Sequence, residues 1–202
     1  MNLLRMTILS SLTAMLAPAL MLAACSPGPD AAPPPLAGAK IGGPFALTDQ
    51  DGKPVTDKSF AGKYRIMYFG YTFCPDICPT TAQAIGAAMR VLDKSDPAIS
   101  ARVVPIFVTV DPARDKPAVL KEFVSAFYPR FVGLTGDPAT IKAVGQEYGV
   151  YAQTGDKTAN GSYLVSHSNA AYLMSPDNKP ITLLPTDQGA DATADEIKRW
   201  VK

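Results

Sequence analysis

The ten residues YRIMYFGYTF, Tyr64 to Phe73, constrain the fold more than any other stretch of the chain. Most are aromatic or aliphatic, and such a run suits a buried strand. ARVVPIFVTVD (101–111) reads as a second buried strand, with Pro105 near its start, where a missing N–H is tolerated. Between them PTTAQAIGAAMRVLDK (79–94) reads as a helix with Pro79 at its first position. Further on, KPAVLKEFVSAFY is a helix, FVGLTGD a short strand, and PATIKAVGQEYG another helix. GPFALTDQDGKPVT alternates on both sides of Asp51-Gly52 and predicts an N-terminal hairpin. SYLVSHSNAAYLMSPDNKPITLLP predicts a second hairpin turning at Asp177-Asn178, and TADEIKRWVK a closing amphipathic helix. Strands alternating with helices predict an α/β fold: a central mixed sheet with parallel pairs, flanked by helices.

The chain has 202 residues, enough for one domain of ordinary size, and 47% of them are hydrophobic, enough for a substantial core. The net charge is +1, with no long run of either sign. That argues against a nucleic-acid partner and against a polybasic membrane patch.

The first 24 residues follow different rules. They carry Arg5 and no acid, then a mostly apolar run, and end at Leu22-Ala23-Ala24-Cys25. This is the pattern of a bacterial lipoprotein signal, in which Cys25 takes a lipid on its sulfur and becomes the first residue of the mature chain. The alternative is an uncleaved anchor, since the run from Met6 to Ala24 approaches spanning length; Pro18 and the small residues at its end favour cleavage. Either way the rest of the chain is expected outside the cytoplasm, on the periplasmic face of a membrane in a bacterial cell envelope. Residues 25–40 include SPGPDAAPPPLAGAK and read as an extended tether. Residues 41–202 read as the folded domain.

With Cys25 lipidated, the cysteines left are Cys74 and Cys78, in YTFCPDICPTT. They fall where strand gives way to helix, Cys74 in the loop and Cys78 just before Pro79. One disulfide is a thin framework for so apolar a domain, so structural stapling explains the pair poorly. The adjoining prolines suit a loop better than a core position. Unpaired N–H groups and the helix dipole favour negative charge there, so at least one thiol should have a lowered pKa. A redox couple and a metal clamp both remain open. Three residues, Pro75, Asp76 and Ile77, separate the cysteines, which leaves room for an ion between two sulfurs.

The chain has one histidine, His167. A lone histidine is by default a surface or hydrogen-bonded core residue. The order of elements, however, suits a thioredoxin-like fold, in which the loop entering the strand at Ala170–Met174 lies against the cysteine loop. Two thiolates and one imidazole make a soft set of three ligands. Structural zinc wants four, and no fourth Cys or His remains. Copper accepts the set, thiolates favouring Cu(I) and imidazole helping to hold Cu(II).

Four stretches resemble the Sco (SenC) family of membrane-tethered copper proteins: YFGYTFCPDICPTT, VPIFVTVDPARDKP, FVGLTGDPATIKAVGQEYGVY and YLVSHSNAAYLMSPD. They cover nearly the whole domain, and the first and last together are highly specific. The resemblance implies a thioredoxin-like fold and copper ligation by Cys74, Cys78 and His167. It implies a role in building the copper A centre of cytochrome c oxidase, by delivering copper or by reducing that subunit's cysteines. The expected partners are that subunit or another copper protein, a copper donor or thiol reductant, and the membrane through a lipid anchor. A metallochaperone is the leading expectation. The alternatives are a thiol–disulfide oxidoreductase using Cys74 and Cys78 as its redox pair, and a copper or redox sensor.

Other residues near these motifs have plainer readings. Asp111, Arg114 and Asp115 form either a charged feature beside the site or ordinary loop chemistry, with Asp115 capping the helix that follows. Asp76 reads as a solvated loop acid, Tyr68 and Tyr71 as packing residues near the site, and Met67 as core.

Overall fold

The computed structural model describes residues 32–202. The expected signal segment, Cys25 and the first part of the tether lie outside the described residues. No helix among the described residues is long and apolar enough to cross a membrane.

The strand expected from Tyr64 is β3 (Tyr64–Gly70), and all seven of its residues are buried. It lies between β4 (Val103–Thr109), parallel to it from Tyr64↔Val103 to Gly70↔Thr109, and β8 (Ala171–Met174), antiparallel to it. β5 (Val132–Thr135) pairs parallel with β4, and the N-terminal hairpin β1 (Ala46–Asp49) and β2 (Pro54–Thr56) adds beyond it. β9 (Pro180–Leu183) closes the other edge, giving the order β2-β1-β5-β4-β3-β8-β9. The sheet is mixed, with its parallel strands central, as expected of a thioredoxin-like α/β fold.

Successive side chains of β3 point to opposite faces. Ile66 and Tyr68 join a core cluster formed with α1 (Ile77–Ser95), α3 (Pro117–Phe127) and α5 (Ala190–Trp200). Met67 and Phe69 join a second cluster with α4 (Pro138–Glu147), Phe45 and Leu47. Each large apolar side chain so buried contributes about 1.5–3 kcal/mol. The Asp177-Asn178 turn forms as expected, with Asn178 at φ 64°, a left-handed position that asparagine tolerates.

Several boundaries differ from expectation. α1 begins at Ile77, so Pro79 is its third residue; in the first turn its missing N–H leaves no bond unmade. Part of the expected strand 101–111 belongs instead to a short helix, α2 (Pro97–Arg102), capped by the Asp96 carboxylate, which accepts from the Ile99 N–H. Pro105 sits inside β4, but β5 pairs with β4 only from Ile106 onward. Packing also begins within the stretch expected to be tether. Residues 34–39 form a turn, the Leu36 N–H donates to the Ile181 carbonyl at 3.0 Å, and Leu36 packs against the second cluster.

Two short strands that sequence periodicity does not reveal, β6 (Ala152–Thr154) and β7 (Val165–His167), form an antiparallel ribbon outside the main sheet.

Candidate metal centre

The cysteines sit where β3 ends. Gly70 is its last residue, and a Cβ there would lie 3.0 Å from the Cys78 sulfur and 3.0 Å from a Phe107 ring carbon. Glycine thus lets the sulfur settle against the strand. The loop that follows is held by Asp115, whose carboxylate accepts from the Thr72 N–H (3.0 Å), the Thr72 hydroxyl (2.7 Å) and the Thr109 hydroxyl (2.7 Å). Asp115 therefore does not cap α3, which Lys116 precedes without a side-chain cap. Instead this buried carboxylate fastens the cysteine loop to the end of β4. Burial raises its pKa despite those donors.

The first turn of α1 has unpaired backbone N–H groups, and they point at Cys74. The Cys78 N–H donates to the Cys74 sulfur at 3.4 Å. Burial works to raise the Cys74 thiol, but the N–H groups of Asp76, Cys78 and Ile77 outweigh it and hold the thiol below its ordinary range. Cys78 behaves in the opposite way. Burial pushes its thiol up to about 12, and the neighbouring Cys74 sulfur adds to the rise. The lowered thiol expected at the helix start is thus Cys74, half-exposed in the loop, and Cys78 is a buried, protonated thiol. Both are free cysteines.

His167 closes β7 and reaches the cysteines from the ribbon. Its Nε2 lies 3.1 Å from the Cys78 sulfur, across 89 positions of sequence. Its Nδ1 lies 2.9 Å from the Ser168 carbonyl oxygen. A carbonyl only accepts, so the ring proton is assigned to Nδ1 and the Nε2 lone pair faces the sulfur. Burial lowers the imidazole pKa and so favours this neutral form. Tyr71 stands edge-on to the ring, centroids 5.8 Å apart. Behind the site the Thr81 hydroxyl donates to Asn169 at 3.2 Å, tying α1 to the loop after His167.

The Cys74 and Cys78 sulfurs and a His167 ring nitrogen all lie within 4.8 Å of one another. Two sulfurs, Cys78 buried and Cys74 half-exposed, plus a presented imidazole lone pair, form a donor set suited to a soft metal ion. The structure thus brings together the three candidate ligands, while Asp76 lies exposed at the rim and Met67 is core, as expected. Asp111 and Arg114 pair with each other three residues apart in the loop after β4. Sequence reasoning missed Tyr163, whose hydroxyl donates to Asp111 at 2.9 Å, because nothing local marks that contact.

Residues 34–202 match the SCO1/SenC family model. The chain is 41% identical to the mitochondrial SCO1 homolog 1 of Arabidopsis thaliana over 164 residues, 81% of this chain and 48% of that protein. The chain spans about half the length of the curated relatives it matches first. Its fold is similar to Bradyrhizobium japonicum ScoI with copper bound, at 42% identity and TM-score 0.72, covering 79% of this chain and 99% of that one. It is also similar to BsSco, described as a member of the Sco family of cytochrome c oxidase assembly proteins with a disulfide switch. There the identity is 27% and the TM-score 0.59, over 78% of this chain and 91% of that one. With the family model matched along the whole described domain and these relatives beside it, the chain belongs to the SCO1/SenC family.

Proposed function

We propose that this chain is a membrane-tethered metallochaperone whose cargo is copper, held by Cys74, Cys78 and His167 and delivered toward the copper A centre of cytochrome c oxidase. The observation that carries the reading is the convergence of the three ligand atoms within 4.8 Å. The copper-bound relative and the assembly role of the Sco family support it. Residues 1–24 act as a lipoprotein signal and Cys25 as the lipidated anchor, which places the domain at the periplasmic face of a bacterial membrane.

Cys74 and Cys78 hold Cu(I) as thiolates, and His167 contributes more to Cu(II). Loading removes the Cys78 proton, so uptake of the ion releases protons. Release proceeds by stepwise exchange, a partner's thiolates replacing one ligand at a time. A partner needs a surface to dock on. Phe73 and Ile77 beside the cysteines, and Tyr151 and Leu164 on or beside the ribbon, are large apolar side chains left exposed.

A second reading is favoured by the contrast between the two thiols. Cys74, half-exposed and lowered, is the natural nucleophile toward a partner's disulfide. Its thiolate would attack one partner sulfur and expel the other as thiolate. Cys78 would then attack the Cys74 sulfur, so that two electrons pass to the partner and the pair ends as a disulfide. Metal loading and that disulfide exclude each other, because the same sulfurs do both.

The test is a copper titration of the reduced chain, followed by absorption and electron spin resonance beside the His167→Ala variant. One Cu(II) per chain with thiolate charge-transfer bands, altered by the variant, supports the chaperone. Ready disulfide exchange with no specific copper binding moves the function to thiol reduction.

A further inference from the structure

We propose that Arg114 and Asp111 are positioning residues for His167: they latch the β6–β7 ribbon onto the cysteine loop, and the approach of Nε2 to the Cys78 sulfur depends on that latch. For its effect on bound copper the inference rests on the metal-site reading above; the latch itself belongs to the metal-free fold.

The ribbon needs an outside tie. It lies apart from the seven-stranded sheet, and all three residues of β6 are exposed. Beside it is a cleft of about 500 Å³, lined by Asp111, Ala113, Ile141, Gln146, Tyr151 and Tyr163. Its base is held where the Val150 N–H donates to the Gly145 carbonyl at 2.8 Å and the Ser168 N–H to the Tyr151 carbonyl at 3.0 Å. Its far end turns back on itself, the Thr158 N–H donating to the Ser162 carbonyl at 2.7 Å. Neither set of bonds joins β7 to the cysteine loop, and the Thr81–Asn169 bond reaches only the residues after His167.

The loop after β4 supplies that tie. The Arg114 guanidinium lies 3.6 Å from the centroid of the Tyr163 ring and donates through Nη1 to the Tyr163 carbonyl at 3.0 Å. Its Nε donates to Asp111, and the Tyr163 hydroxyl donates to the same carboxylate. The guanidinium also lies 4.9 Å from the ring of Phe73, next to Cys74, and 5.5 Å from the ring of Tyr71, which stands edge-on to His167. One side chain therefore touches the ribbon four residues before His167, the neighbour of Cys74 and the ring beside the imidazole. Val165, between Tyr163 and His167, packs with Tyr71 and Cys78. Arg114 Nη2 is buried without a hydrogen-bond partner, a cost consistent with a guanidinium enclosed by aromatic rings. A lysine has neither the planar face nor the fork for this arrangement.

The test compares the full chain with its Arg114→Ala and Arg114→Lys variants, reduced and metal-free, by amide hydrogen exchange. Amides at 152–154 and 165–167 should exchange about tenfold faster or more in both variants, as expected for loss of a desolvated cation–π contact. Amides of β3 and β4 should keep their rates. Loaded with Cu(II), both variants should have the absorption and electron spin resonance spectra of His167→Ala, not those of wild type. Unchanged ribbon exchange in Arg114→Ala overturns the latch. A wild-type Cu(II) spectrum in Arg114→Ala, alongside an altered one in His167→Ala, overturns it too. If His167→Ala itself has the wild-type spectrum, the metal-site reading fails and the ribbon's exchange still decides the latch. Should Arg114→Ala not fold, Tyr163→Phe keeps the ring and removes only its bond to Asp111. Faster ribbon exchange is expected there, and wild-type exchange overturns the proposal.

Discussion

The two sides of the site are built in different ways. Cys74 and Cys78 stand where β3, an inner strand of a seven-stranded sheet, gives way to the first turn of a 19-residue helix, with a buried carboxylate fastening their loop. His167 stands on a two-stranded ribbon outside that sheet, next to a cleft. The thiols are therefore preorganised by the core, and the imidazole is delivered by the periphery. The stepwise release proposed for a bound ion gains from this division, because one ligand can leave without unfolding the other two.

The comparison can be broken most severely at the thiols. Cys78→Ser should abolish stoichiometric Cu(I) binding, read by titration against a competing chelator; retained affinity would remove Cys78 from the site. Next is the brace behind them. Asp115→Ala leaves the Thr72 and Thr109 donors buried without their acceptor and should cost about 2–4 kcal/mol in denaturant unfolding. A loss as small as that of a surface substitution would mean that the carboxylate does not brace the loop.

On the ribbon side the expected effects are smaller. His167→Ala should weaken Cu(II) binding by about 10–100-fold, on the scale of a lost supporting interaction at a metal site, while unfolding stability changes little. Equal weakening of Cu(I) and Cu(II), measured by competition, would blur the division between core and periphery. The gentlest probe is pH. The folded Cys78 thiol is raised from 9.0 to about 12, so the folded state holds a proton that the unfolded chain has released. Its contribution to metal-free stability is complete below about pH 9 and is lost as pH rises toward 12. Cys78→Ser should flatten that part of the stability curve relative to wild type; coincident slopes would refute the buried, protonated thiol.

Local sequence made the Cys74–Cys78 loop legible. A seven-residue buried strand, a proline in the first helical turn and two cysteines between them allow few other arrangements. The helix α2 is absent from the sequence reading, in which the stretch from Ala101 onward is strand; its Asp96 cap emerges only in the structure. The ribbon gave no local signal either. Its strands are three residues each, and β6 is exposed throughout, so no periodicity marks them.

Asp115 illustrates the limit of local reading. Ahead of Lys116-Pro117 it has the position of a cap, yet its side chain turns inward to Thr72 and Thr109, where buried donors need an acceptor. Asp111 and Arg114 read as a loop pair until Tyr163 is brought to them across about 50 positions.

Residue types and their spacing were enough to establish the α/β class, the strand–loop–helix setting of the cysteines and the soft character of the three donors, because each follows from local propensity or side-chain chemistry. Three-dimensional packing was needed for which thiol is lowered, which ring nitrogen faces the sulfur and what holds His167 in place. Those properties depend on burial, on the direction of backbone N–H groups and on contacts between residues far apart in sequence, none of which local pattern encodes.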